Sequence, residues 1–374
     1  MASDEAGSYG RRVAVTGALL ALLLSAVLLG ACGDLNVGSA GSVVEAHVVR
    51  VLETGERQLS GAGPQLFQRL EVELDGSLYR GERVPVQWGG RRALNTSGLL
   101  REGDRVLLTV TRDGTQRTYS VQEVVRVTAL GPFFALLVVA LVVIARLKGL
   151  TALAGLGASI AVFLLAIVPA LQRGEDPLLA TVIGSAAVLV AAVFVVHGFN
   201  RKSVAALGGT LAGLVVVGGL GALALSLARI TGLGTEDAIF LSVATEGRID
   251  IARLALAGVI VGSLGALVDM SVGQASTTFE LASVDPGLRG RALYFSALNV
   301  GRDHIGSLIN TLALAYFGGA LPLVLLLSLG FQPLSVALNS EEIVESALTV
   351  LVASIGLVLC VPVTTGVAVA LARD

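Results

Sequence analysis

Polar residues at helical spacing interrupt an apolar part of the chain near residue 270. Four of them share one face of a continuous helix, because they are separated by four, three and four positions: Asp269, Gly273, Ser276 and Glu280. Beside that face lie Gln274 and Thr277. A carboxylate at mid-bilayer costs at least ~2.5 kcal/mol, so it normally faces other helices and has a polar partner. Asp269 is therefore the first candidate for chemistry.

A second polar face, the 299–310 stripe, overlaps the segment GRDHIGSLINTLALAYFGG (residues 301–319). It consists of Asn299, Asp303, Gly306 or Ser307, and Asn310. The same segment also carries Arg302, His304, Thr311 and Tyr316. Both faces fall at the same end of their predicted helices and could meet. The partners predicted for Asp269 are Asn310, Arg302 and His304.

Several interpretations of these polar faces are open. They could form a hydrogen-bonded lock between two helices, line a path for a solute or a proton, or reach the lipid headgroups. Asn299 and Asp303 also fit the first turn of a helix, where an acid complements the helix dipole. His304 could titrate near neutral pH or serve as a hydrogen-bonding end group.

Motifs of soluble enzymes are missing from the sequence. It contains no G-x-S-x-G, no H-E-x-x-H and no phosphate-binding loop. Three histidines and two cysteines, without a Cys/His cluster, do not predict a zinc site. No block of like charge predicts a nucleic-acid surface. We therefore predict no catalytic residue, metal or cofactor, and a protein that is not an enzyme.

Composition indicates an integral membrane protein. Hydrophobic residues make up 54% of the 374 residues and charged ones only 14%, against about 25% charged in soluble domains. Eight apolar stretches are long enough to span a bilayer. They lie near residues 13–31, 130–146, 150–171, 177–198, 204–228, 252–272, 305–330 and 343–371.

The basic residues near the span ends predict the orientation. With a cytoplasmic N-terminus, ten fall inside: Arg11, Arg12, Arg146, Lys148, Arg201, Lys202, Arg289, Arg291, Arg302 and Arg373. Four fall in the short outside loops: Arg173, Arg229, Arg248 and Arg253. The excess predicts that both termini are cytoplasmic.

The polar region after the first span predicts a small β-domain. Alternating apolar and polar residues predict about five short strands, and the sequence RDG at 112–114 predicts a hairpin. Five short strands favour a closed, OB-like barrel, because closure removes the sheet edges. The predicted organisation is an N-terminal membrane anchor at 1–33, an extracytoplasmic β-domain at 34–128 and a seven-helix membrane bundle at 129–374.

The first span allows two interpretations. The sequence LLGAC, ending at Cys32, fits the small-residue pattern before a lipid-modified cysteine. Its apolar core is long for a signal peptide, so an uncleaved anchor with an incidental cysteine is favoured.

Glycine recurs at spacings that allow close helix packing. Gly209 and Gly213 form one G-x-x-x-G motif, and Gly258 and Gly262 form another. We predict helix packing at these positions; sliding of helices during a transport cycle is the alternative.

Two segments resemble the paired signatures of YibE/F-like membrane proteins: EGRIDIARLALAGVIVGSLGALVDMSVGQASTTFEL (246–281) and NVGRDHIGSLINTLALAYFGGALPLVLLL (299–327). The matched positions are Asp269, Arg302, Asp303, Asn310, Thr311 and Tyr316. The resemblance implies an N-terminal helix, an external β-rich domain and a multi-span bundle in a bacterial cytoplasmic membrane, and it implies no biochemical activity. The cysteine motif at Cys32 departs from the family pattern.

Two functions follow from these observations. The favoured one is a permease for an ion or small solute, whose path runs between the helices near 252–285 and 299–330. The alternative is a non-transporting envelope protein whose external β-domain binds a partner or ligand. The lipid bilayer is a partner in both cases.

Overall fold

The computed structural model describes residues 42–58, 64–75, 80–89, 94–113, 116–330 and 333–372. The predicted first span at 13–31 and Cys32 lie outside these ranges. The chain divides into two compact units, one that ends at Ile144 and one that begins at Ala145.

The first unit contains a five-stranded antiparallel barrel. Its strands are β1 (Ser42–Gln58), β2 (Pro64–Leu74), β3 (Arg83–Gly89), β4 (Arg105–Asp113) and β5 (Gln116–Val124). The order in the sheet is β3-β2-β1-β4-β5. Strand β3 also approaches β5, so the barrel is nearly closed. All five strands were predicted from alternation, and Asp113 pairs with Gln116 as the predicted hairpin requires.

Alternate apolar residues fill the barrel because successive side chains of a strand point to opposite faces. They include Ala46, Val48, Leu70, Val72, Leu74, Val84, Val86, Val106 and Leu108. The loop after β3 is tied to this core by two buried polar side chains. Gln68 accepts from the Leu100 amide at 2.7 Å and donates to its carbonyl at 3.1 Å. The indole of Trp88 donates to the Gly98 carbonyl at 2.9 Å.

Helix α1 (Leu130–Ala145) follows the barrel in the same unit. It is 16 residues long and wholly apolar, and none of its residues is buried. Such a surface on all sides is what a lipid-facing span requires.

The second unit consists of helices. They are α2 (Leu147–Val162), α3 (Val168–Gln172), α4 (Pro177–His197), α5 (Arg201–Leu227), α6 (Glu236–Ala244), α7 (Ile251–Val284), α8 (Gly290–Gly319), α9 (Leu321–Ser328), α10 (Leu334–Ala337) and α11 (Glu341–Leu371). A π-helical segment, Phe163–Ile167, joins α2 to α3. Thr235 caps α6 by accepting from the Ala238 amide at 3.3 Å.

Six helices of the described part of the chain are long and apolar enough to cross a membrane, and a bent pair gives a seventh candidate. The six are residues 127–145, 148–172, 177–197, 201–227, 251–284 and 341–371. The bent pair is α8 with α9, which meet at 67°. Each of the seven falls on a predicted span.

The two helices that carry the polar faces are longer than their apolar stretches. Helix α7 continues to Val284, beyond the predicted end at 272, and α8 begins at Gly290 rather than near 305. A hydropathy window locates bilayer-length apolar runs, whereas the helical hydrogen bonds continue through polar residues. Pro322, near the start of α9, lacks the amide hydrogen that would continue α8.

Helices α5, α7 and α11 form the centre of the bundle. Glycines allow their backbones to approach closely. A Cβ at Gly209 would lie 1.7 Å from the Thr364 hydroxyl oxygen and 3.1 Å from the Thr364 Cα. A Cβ at Gly213 would lie 2.7 Å from Leu267.

In the second glycine motif, Gly258 and Gly262, only one glycine contacts a neighbouring helix among the described residues. A Cβ at Gly262 would lie 2.7 Å from the Tyr316 hydroxyl of α8, so this glycine makes a close contact. A Cβ at Gly258 would have nothing within 4 Å among the described residues, and this glycine is exposed. The predicted packing role of Gly258 is therefore wrong, because this residue lies on the outward face of α7.

Candidate functional site

Asp269 lies near a histidine of another helix. It is on α7, which packs against α4, and His197 is close enough to Asp269 for an electrostatic influence without a hydrogen bond or ion pair between them. His197 is the last residue of α4. Both side chains are exposed on the helical unit, and Asp269 makes no hydrogen bond or ion pair within the described ranges.

Beside this pair is a cleft of about 820 Å³, which we call the basic cleft. Residues of α2, α4, α5 and α7, together with the short α4–α5 connection, line it. They are Lys148, Val196, His197, Asn200, Arg201, Lys202, Ser203, Ala206, Val272, Ser276 and Phe279. Cationic groups and hydroxyls share one cavity with an apolar wall, an arrangement that suits a charged or polar solute.

The cleft lies where α4 ends and α5 begins. Asn200 fixes this junction, because its side-chain oxygen accepts from the Ser203 amide at 2.9 Å and its amide donates to the His197 carbonyl at 2.6 Å. The Ser203 hydroxyl donates to the Gly198 carbonyl at 2.6 Å. The tight connection sets His197 next to the first turn of α5.

Gln274 has a different role from Asp269. It is fully buried, and its amide donates to the Ala297 carbonyl of α8 at 2.9 Å and to the Thr365 hydroxyl of α11 at 2.7 Å. Its side-chain oxygen packs against Gly301, where a Cβ would lie 2.6 Å away. Gln274 therefore joins three helices, which is the hydrogen-bonded lock considered for this region.

The 299–310 stripe lies on the outward face of α8. The buried face of α8 carries Leu293, Ala297 and Gly301. The predicted polar residues on the other faces are exposed: Asn299, Arg302, Asp303, His304, Asn310 and Thr311. Their described hydrogen bonds stay within α8, since Arg302 donates to the Asn299 side chain at 2.9 Å and Thr311 to the Ser307 carbonyl at 2.9 Å.

The predicted contact between Asp269 and the stripe is not among the hydrogen bonds and ion pairs of the described residues. Gln274, whose amide donates to α8, lies about 140° around α7 from Asp269. Asp269 therefore does not share the face of α7 that forms this hydrogen bond. Asn299 and Asp303 are also not first-turn residues, because α8 begins at Gly290.

Two further predicted residues lie apart from Asp269. Tyr316 lies at the other end of α8, in a separate cavity of about 350 Å³ that also includes Glu342 and Ser346. Glu280 is exposed on α7, eleven residues or roughly 16 Å beyond Asp269.

Sequence reasoning missed the residues that line the basic cleft near Asp269. Lys148, His197 and Ser203 lie at helix ends that are distant in sequence, and no local spacing connects them to α7. The sequence features that could have indicated the cleft were His197 and the basic residues at the predicted span ends. Among the residues that the structure describes, no group of three or more His, Cys, Asp or Glu is placed to hold a metal ion.

Comparison with known proteins gives one match. A family model described as YibE/F-like protein matches residues 133–374, which include most of α1 and the whole helical unit but not the barrel. Neither the curated proteins nor the solved structures give a match. The matched segment contains both polar faces that carried the resemblance, so the chain belongs to the YibE/F-like family.

Proposed function

We propose that this protein is a membrane permease for an ion or small solute, with the basic cleft as the mouth of its path. The observation that carries the proposal is the proximity of Asp269 and His197 on adjacent span helices, with His197 lining a polar cleft. Intramembrane ionisable residues normally mark ion, proton or substrate pathways.

The chemistry of the pair fits such a path. Neither side chain is held by a structural hydrogen bond to another described side chain, so both are available to a passing solute. Imidazole and carboxylate side chains are groups that proton and ion pathways within membranes commonly use. The pair can therefore bind a cation, relay a proton or couple the two, and this role makes the protein a transporter rather than an enzyme.

The proposed orientation places the basic cleft in the cytoplasm and the OB-like barrel outside. Its support is the excess of arginine and lysine at the span ends that include Lys148 and Arg201.

Reconstituted protein tests the proposal. Full-length wild type, Asp269→Asn and Asp303→Asn are placed in liposomes, and currents are recorded on a solid-supported membrane with panels of cations, anions and proton gradients. Asp303 is the matched control, because it is an exposed carboxylate on α8 outside the cleft. We expect Asp269→Asn to lower the current at least about tenfold, which corresponds to ~1.4 kcal/mol in the barrier, and Asp303→Asn to leave it unchanged. Equal currents in wild type and Asp269→Asn contradict the proposal.

The outward position of the 299–310 stripe favours the second candidate, an envelope protein that binds a partner and does not transport. Polar residues such as Asn310 on an outer helix face need a hydrogen-bonding partner in lipid. A deletion of residues 42–124 separates the candidates in cells. A permease keeps its flux when the barrel is deleted. A partner-binding protein loses its cellular activity when the barrel is deleted and keeps that activity in the Asp269→Asn variant.

A further inference from the structure

Both lysines of the chain line the basic cleft. The sequence has 26 lysine and arginine residues, and Lys148 and Lys202 are its only lysines. They come from different helices, α2 and α5, and meet at one cavity. A chain that otherwise uses arginine thus places two compact ammonium groups together, and lysine ammonium groups are common ligands of phosphate.

The positive charge of the cleft is not neutralised by neighbouring carboxylates. Lys148, Arg201 and Lys202 form no ion pair with an acidic residue in the described part of the chain, and all three are exposed. No carboxylate is among the described residues that line the cleft. The lining therefore carries three cationic side chains without an acidic partner.

Helix α5 adds to this field, because the cleft surrounds its N-terminus. The helix is 27 residues long, and the positive end of its dipole points at this junction. Asn200 accepts from the Ser203 amide, which leaves the amides of Arg201 and Lys202 in the unpaired first turn. Ser276 of α7 also lines the cavity.

We propose that the basic cleft binds a phosphate group, held by Lys148, Arg201, Lys202 and the Ser276 hydroxyl. The volume of about 820 Å³ exceeds what a bare ion needs, and Val272 and Phe279 give the cavity an apolar wall. The phosphate belongs either to an anionic phospholipid or to a soluble phosphate compound. The site stands whether or not the protein transports.

Nuclear magnetic resonance of the two lysines tests the site in the full-length protein. The protein is reductively methylated with ¹³C-formaldehyde in phosphatidylcholine nanodiscs, and Lys148→Arg and Lys202→Arg assign the signals. Inorganic phosphate is then titrated against chloride at equal ionic strength. A soluble phosphate ligand predicts saturable shifts of both lysine signals with phosphate and not with chloride.

Nanodiscs that contain phosphatidylglycerol distinguish the two sources. A lipid ligand predicts that both signals are already shifted in these discs and that inorganic phosphate adds no further shift. The proposal is overturned when neither phosphate nor phosphatidylglycerol moves the signals more than chloride does.

Charge variants separate a site from general attraction. Arg201→Gln removes one cleft cation, while Arg291→Gln removes an exposed cation of α8 that does not line the cleft. We expect Arg201→Gln to weaken binding of the ligand that shifted the lysine signals at least about tenfold. Arg291→Gln should leave the affinity for that ligand unchanged. Equal weakening by both variants overturns the proposal.

Discussion

At the residue scale, two polar side chains of α7 show opposite behaviour five positions apart. Gln274 is buried and satisfied by α8 and α11, whereas Asp269 is exposed, without a described hydrogen bond, and lies near His197. A satisfied amide fixes helix positions, because breaking it leaves buried polar groups unpaired. An unsatisfied carboxylate can exchange ligands. Structure and activity are therefore expected to depend on different residues of one helix.

The isosteric change Gln274→Glu tests the structural half of this distinction. It replaces the donating amide nitrogen with an oxygen that faces the Ala297 carbonyl, so we expect a loss of stability of about 1–3 kcal/mol. Thermal unfolding is followed with a thiol-reactive dye that reports exposure of the buried Cys360, in a Cys32→Ser background. Ser283→Gln, an exposed and uncharged change on the same helix, is the control and should leave the midpoint unchanged. A midpoint for Gln274→Glu equal to that of the control would show that the lock contributes nothing.

At the scale of elements, the bundle depends on the close approach of α5 to α11. Gly209 leaves no room for a side chain against Thr364, while Gly258, in the second motif, faces open space. A G-x-x-x-G pattern records a helical face with little side-chain volume, and only the neighbouring helix decides whether that face is used. This is why sequence spacing predicted the packing role of Gly209 and failed for Gly258.

Alanine at the two glycines makes a matched pair. Gly209→Ala is expected to destabilise the bundle by about 1–3 kcal/mol, the usual effect of overpacking, because Thr364 backbone atoms cannot move aside as a side-chain end can. Gly258→Ala is expected to be neutral. The dye-based unfolding midpoint measures both, and equal midpoints would mean that α5 and α11 are not in close contact at Gly209.

The barrel is expected to fold without the helices. Its core is formed by β1 to β4 and Leu100, with Tyr119, Val121 and Val124 of β5 packed against it. Gln68 and Trp88 hold the loop after β3 from inside the domain. A soluble fragment of residues 40–128 should give a β-rich circular dichroism spectrum and a cooperative thermal transition. A disordered fragment would mean that the barrel needs the membrane part or a partner.

At the scale of the whole molecule, the sequence predicted more of the fold than of the site. Apolar length and strand alternation are local, and they placed the spans and the five strands. The extension of α7 and α8 beyond their apolar stretches, and the bend before α9, depend on helix continuation that hydropathy does not record. The residues near Asp269 depend on which helices pack against α7, and no local spacing in the sequence records that packing.

Cysteine labelling tests the proposed orientation. Ser120→Cys lies on β5 and Ser283→Cys near the end of α7, and both positions are exposed. Both variants are expressed in a Cys32→Ser background. In intact cells a membrane-impermeant maleimide should label Ser120→Cys, and it should reach Ser283→Cys only after the membrane is permeabilised. The reverse pattern would place the basic cleft outside the cell.

The central claim is that Asp269 and His197 act together on one transported solute, and a double-mutant cycle on flux tests it most directly. Asp269→Asn, His197→Gln and the double variant are compared with wild type in the same liposomes, at matched protein content. Residues that act as a unit give non-additive effects. We predict that each single variant lowers flux at least about tenfold and that the double variant is no slower than the slower single one. Single variants with wild-type flux, or losses that multiply in the double variant, would contradict the account.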